Sequence, residues 1–176
     1  SKIKIITCNG KKKFCVANEN MKKINCIYCK NRLKSGLNIL KKYHPNKISI
    51  VDESNNFLIP KNLSKKINNV QNIKDLKQIK FKNIDFGESI LSTLITQFKK
   101  EKVDVLKYRE LIKEIFLQSY QSYFNFKNLL SKNNYKKILI FNGRIYNYRP
   151  LLRYSQQKKL KVYCYDYPYF SHKRYL

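Results

Sequence analysis

The run Lys137–Phe141, KILIF, constrains this chain more than any other feature. It is strand-length, almost wholly apolar, and closed by the turn signal Asn142-Gly143-Arg144. Such a run belongs in the interior of a parallel sheet, where helices cover both faces. The following residues supply one: Tyr148 to Leu160 reads as a helix with Pro150 tolerated in its first turn, and Lys161 to Asp166, KVYCYD, reads as the next strand. The order strand, helix, strand requires a parallel crossover, which is nearly always right-handed.

The same order stands at the start of the chain. Ile3 to Cys8, IKIITC, is a strand opening into the turn Asn9-Gly10. From Cys26 to Tyr43 the residues Ile27, Leu33, Leu37 and Leu40 recur near helical spacing, with Asn25 as cap and His44-Pro45 as stop. Lys47 to Val51 then alternates as a strand ending at Asp52. Two such units predict an α/β fold, a Rossmann-like three-layer domain with a parallel sheet between helices. The two halves are not a sequence repeat.

Between them, residues 55–86 read as a loop-rich connection, broken by Pro60 and polar clusters, with a short helix near Ile73 to Ile79. Two amphipathic helices follow: Glu88 to Phe98, with Ile90, Leu91, Leu94, Ile95 and Phe98 on one face, and Asp104 to Leu130. The length of 176 residues predicts a single domain over 1–176. No stretch reaches the ~18 apolar residues of a membrane helix, and Ser1 to Gly10 lacks a signal-peptide pattern, so a cytoplasmic protein is expected.

Thirty-eight Lys and Arg against 11 Asp and Glu give a formal charge of +27. A field of that sign attracts any polyanion, nucleic acid or anionic lipid alike. Lys, Asn and Ile dominate while Ala17 is the single alanine, so a solvated lysine surface from an AT-rich coding sequence is the plain account. Zinc-finger spacing, an RNP-type aromatic strand and a KH-type loop are all absent, which leaves nucleic acid as the alternative partner. With neither GxGxxG nor GxxxxGK[ST], hydride transfer and NTP hydrolysis lose support, and no cofactor is expected.

Ligands of open α/β sheets bind beyond the carboxyl ends of the strands, where backbone amides and helix N-termini point. Asn9, Gly10, Asp52, Asn142, Gly143, Arg144 and Asp166 fall at such ends. Gly143 permits close backbone approach, Asn142 both donates and accepts, and Arg144 can fork onto an anion. The alternative is a tight turn with Arg144 in solvent. Gly87, Glu88 and Ser89 open a helix and read either as a ligand-facing terminus or as an ordinary cap. Cys8, Cys15, Cys26 and Cys29 could form a four-thiolate zinc site, Cys26-x-x-Cys29 could serve redox chemistry, or all could be ordinary reduced cysteines. Only one close pair is present, which weakens the zinc reading. His44 and His172 are isolated, and no nucleophilic triad can be assembled.

Cys8 in a first strand, the series Cys15, Cys26 and Cys29, the block Asp85-Phe86-Gly87-Glu88-Ser89, and the segment Ile138 to Asp166 with Asn142-Gly143-Arg144 and Arg149-Pro150-Leu151-Leu152 resemble the N-terminal portion of capsule and surface-polysaccharide biosynthesis proteins. Those are glycosyltransferase-like chains of the GT-B class. The resemblance implies an acceptor-side Rossmann-like domain, inactive alone, whose donor-binding half for the nucleotide sugar lies outside this chain. It implies that Asn142, Gly143, Arg144 and Asp166 line the interdomain cleft, with Gly87, Glu88 and Ser89 on its rim. The partner implied is a carbohydrate acceptor or lipid-linked saccharide, met at the inner membrane face, where lysines would contact anionic lipid. No metal is implied and no catalytic base is assigned; Glu88 and Asp166 are the candidates.

Overall fold

The computed structural model describes residues 2–18, 20–53, 57–99 and 102–166. Among them the chain is mixed α/β, about 50% helix, with strands paired only in parallel two-stranded sheets. No helix among them is long and apolar enough to cross a membrane. The chain groups into two compact units, Ser1–Leu58 and Ile59–Leu176. The expected α/β character and parallel strand pairing are present, and each unit holds one crossover with its own strand pair; these pairs do not by themselves establish the three-layer Rossmann-like layout.

In the first unit, β1 (Ile3–Thr7) and β2 (Ile48–Asp52) run parallel, from Ile3 opposite Ile48 to Thr7 opposite Asp52, joined by α1 (Lys23–Tyr43). The helix begins three residues before the expected Cys26, and its organising asparagine is Asn18 rather than Asn25. Buried Asn18 accepts the Lys22 N–H and the Asn25 side-chain amide through Oδ1, both at 3.0 Å, and returns Nδ2 to the Lys22 carbonyl at 2.9 Å. The bond to the Lys22 N–H satisfies one of the donors that a helix start leaves orphaned. At the other end the His44 N–H donates to the Leu40 carbonyl, and Asn46 turns the chain in the left-handed region.

The second unit contains α2 (Lys61–Asn68), α3 (Ile73–Lys77), α4 (Phe86–Phe98), α5 (Arg109–Ser131), β3 (Lys137–Phe141), α6 (Arg149–Gln157) and β4 (Lys161–Tyr165). Within the stretch read as loop-rich, α3 is the short helix expected near Ile73 to Ile79, and α2 is a helix that the sequence reading did not expect. Pro60, taken as a break, precedes α2, and its carbonyl accepts the Leu63 and Ser64 N–H groups. Leu63 and Ile67, four residues apart, point inward, each burial contributing roughly 1.5–3 kcal/mol. Asn72 caps α3 by accepting the Asp75 N–H at 3.0 Å.

The core lies between α4 and α5, where Phe86, Phe116, Tyr120 and Tyr123 pack edge-on or tilted with ring centroids 5.7–6.2 Å apart. Polar residues inside this apolar region have defined tasks. Thr93 Oγ1 accepts the Tyr146 N–H at 2.8 Å while donating to the Ser89 carbonyl, and Ser119 Oγ donates to the Tyr146 carbonyl. Both backbone polar groups of Tyr146 are thereby tied to the two central helices, each bond worth a net 0.5–1.5 kcal/mol or so.

β3 and β4 pair in parallel from Lys137 opposite Lys161 to Phe141 opposite Tyr165. KILIF is not buried on both faces, however: Ile140 is 4% exposed but Leu139 is 70% exposed. With two strands and α6 packed against β4, one face of the pair is covered and the other carries Leu139, Tyr163 and Tyr165 in the open.

Candidate functional site

The carboxyl end of β3 is built as a double left-handed turn. Asn142 (φ 60) and Gly143 (φ 69) follow each other in conformations that only glycine adopts without strain and asparagine tolerates. The Asn142 N–H donates to the Tyr165 carbonyl at 2.7 Å, its Nδ2 donates to Asp166 Oδ2 at 2.6 Å, and its Oδ1 accepts the Arg144 N–H at 3.0 Å. One side chain thus joins the ends of both strands to the start of the next loop. A Cβ on Gly143 would lie 2.9 Å from Leu152 Cδ2 and 3.2 Å from Cys164 Sγ, so this glycine also lets α6 approach the strand ends. Arg144 and Asp166 are exposed.

The first unit repeats this device. Asn9 (φ 47) and Gly10 (φ 71) are consecutive left-handed residues after β1, and Asn9 Nδ2 donates to Asp52 Oδ2 at 2.9 Å. Thr7 Oγ1 donates to Asp52 Oδ1 at 2.7 Å. The Thr7 and Asn9 hydrogen bonds hold the Asp52 carboxyl below the usual carboxylate range. Beside it, Lys12 and Glu53 pair at 2.9 Å with their side chains 9% and 11% exposed. The sequence carries no repeat, yet both crossovers open with an Asn-Gly turn whose carboxamide grips an acid at the end of the neighbouring strand.

The residues Gly87, Glu88 and Ser89 part ways. A Cβ on Gly87 would sit 1.7 Å from the Leu76 carbonyl oxygen, so this glycine exists to seat α3 against α4. Ser89 is fully buried and its hydroxyl donates to the Phe86 carbonyl at 2.7 Å, which takes it out of any ligand's reach. Glu88 alone faces outward. It lines an open groove of about 760 Å³ together with Lys74, Lys77, Lys80, Asp85 and Arg149, with Ile73 and Gln78 completing the wall.

The junction beneath that groove escaped the sequence reading. Arg149 donates Nε and Nη2 to Asp85 Oδ2 at 2.9 and 2.6 Å, and Arg153 Nε lies 3.4 Å from Asp85 Oδ1. Burial alone would raise the Asp85 carboxyl, but the Arg149 hydrogen bonds and charge, aided by Arg153, hold it below its ordinary range. The start of α4 and the start of α6, Asp85 and Arg149, are therefore fastened to each other by this pair. Opposite charges adjoining both helix starts were the available signal; their separation by 64 residues hid the pairing.

Among the described residues no three His, Cys, Asp or Glu side chains gather as a metal-holding group. All five cysteines are free thiols. Burial pushes the Cys15 thiol up, with Cys8 and Cys26 adding to the rise against hydrogen bonds from the Ala17 and Asn18 backbone. Asn18 Nδ2 also lies 3.4 Å from Cys26 Sγ. His172 lies outside the described residues. No protein family, curated protein or solved structure matches the chain.

Proposed function

We propose that the second unit serves as the acceptor-side domain of a glycosyltransferase-like protein in surface polysaccharide biosynthesis, a Rossmann-like half that does not turn over alone. The observation that carries this reading is the Asp85–Arg149 pair, which fastens the two segments of family resemblance beside an open polar groove. A groove with Gln78, Glu88, three lysines and an ordered arginine offers what sugar hydroxyls need: several donors and acceptors converging on a shallow concavity. Donor binding belongs to a partner domain that presents the nucleotide sugar. Glu88 is the carboxylate placed to meet an acceptor hydroxyl, while Asp85 is committed to its arginines. The first unit contributes membrane proximity. α1 carries Lys23, Lys30, Arg32, Lys34, Lys41 and Lys42 with no acidic residue, beside exposed Ile24, Tyr28, Ile39 and Tyr43, a composition suited to an anionic lipid surface at the inner membrane face.

The test is an amide-shift titration of the ¹⁵N-labelled chain with neutral disaccharides. Saturable shifts clustered at 85–89 and 142–150 are expected, weakened in Arg149→Lys, which keeps the charge but loses the fork. Silence at these amides for every saccharide would overturn the proposal. The charge of +27 favours nucleic acid as the second reading. Tight binding to any single strand or duplex, falling steeply with salt, would establish that alternative.

A further inference from the structure

We infer that the groove between α3 and the starts of α4 and α6 binds the phosphate of a phosphate-bearing saccharide. This rests on the acceptor-side reading and names the chemistry of that acceptor. The charges lining the groove are Lys74, Lys77, Lys80 and Arg149 against Asp85 and Glu88, four positive to two negative. Of the two acids, Asp85 is already cancelled by Arg149 and Arg153, with side-chain exposures of 15%, 23% and 41%. Glu88 is only loosely engaged, its Oε1 lying 3.9 Å from Lys77 Nζ with both side chains substantially exposed. The three lysines recur every third residue along α3 and the turn behind it and all line the groove; among the described residues the ion pair recorded for them is the loose Lys77–Glu88 contact.

A neutral sugar gains nothing from this excess of positive charge; a phosphate does, through charge-assisted hydrogen bonds from lysine. The Asp85 brace fixes Arg149 in the wall of the groove as a positioning charge. At about 760 Å³ the space exceeds what a lone phosphate fills and accommodates a sugar ring beside it, with Gln78 and Glu88 as hydroxyl partners. The phosphate could belong to a soluble sugar phosphate or to a lipid-linked one; the groove recognises the group they share.

The experiment measures pyrophosphate binding to the full chain by calorimetry in roughly physiological salt. Three proteins are compared: the native chain, Lys74→Ser/Lys77→Ser/Lys80→Ser, and Lys34→Ser/Lys41→Ser/Lys42→Ser on α1, which removes the same charge from the other unit. All six lysines are exposed, so the core is untouched in both variants. Saturable binding weakened about tenfold or more by the groove substitutions and less than about twofold by the α1 set is expected. Equal weakening by both sets, or no saturable binding at this salt, overturns the inference. Competition by glucose 1-phosphate against a short-chain prenyl phosphate in neutral micelles then distinguishes the soluble from the lipid-linked source. Failure of pyrophosphate to bind while neutral disaccharides still shift residues 85–89 would sink this inference alone and leave the acceptor-side reading standing.

Discussion

Gly143 shows what one residue can decide. Its left-handed backbone and the 2.9 Å approach that a Cβ would make to Leu152 both reject a side chain. Gly143→Ala is expected to lower stability by about 1–3 kcal/mol, read as a shift in urea midpoint without change in slope. An unchanged midpoint would mean that the turn is not held as described. Asp85 supplies a pH dependence. Its folded carboxyl lies below the ordinary value, so the ion pair's contribution is complete above the unfolded value near 4 and disappears as pH falls through the lowered folded value. Asp85→Asn should flatten the stability profile on that acid limb and leave Arg149 and Arg153 half-buried without their counter-charge. Chemical denaturation at stepped pH would reveal it, and parallel profiles for the two proteins would disprove it.

At the scale of elements, the contact between α3 and α4 is the sharpest case. Gly87 sends its N–H to the Ile79 carbonyl at 2.9 Å, while a Cβ there would meet the Leu76 oxygen at 1.7 Å and the Leu76 carbon at 2.7 Å. Those neighbours are backbone atoms and cannot rotate aside. Gly87→Ala should cost about 3 kcal/mol or more, with α3 displaced and hydrogen-exchange protection lost from residues 73–79. Retained protection there would contradict the packing. Strands 3–7, 137–141 and 161–165 were legible because strand-length apolar or alternating runs end at Asn-Gly or Asp. The helix α2 was not. Only Leu63 and Ile67 face inward in a lysine- and asparagine-rich octapeptide, so its apolar stripe is too short to detect and its existence depends on the core it covers. The buried Thr93 and Ser119 were likewise unreadable, since nothing local reveals that a hydroxyl will meet the backbone of Tyr146.

The molecule as a whole pairs a lysine-rich exterior with a tyrosine-rich interior, and alkali tests that arrangement. Burial, then Tyr154 and Tyr120, push Tyr123 up from 10.0 to about 12, and burial raises Tyr120 as well. Their neutral form is the one the fold favours, so this contribution is intact below pH 10 and is lost as the unfolded chain's phenols ionise toward pH 12. Ultraviolet titration should therefore show a fraction of phenolate appearing late, coincident with loss of tertiary signal, and Tyr123→Phe should delay alkaline unfolding. Simultaneous ionisation of every tyrosine near pH 10 with the fold intact would refute the buried cluster.

Local pattern alone determined the parallel crossovers, the Asn-Gly turns that open them and the apolar stripes of α4 and α5, because period, turn chemistry and strand length act over a few residues. Tertiary structure decided the rest. It kept the two strand pairs in separate sheets, turned Ser89 and Gly87 into packing residues, and set Arg149 on Asp85 to frame a basic groove. Each of those outcomes depends on which distant surfaces meet, and pairwise contact across 64 residues leaves no periodic trace in the chain.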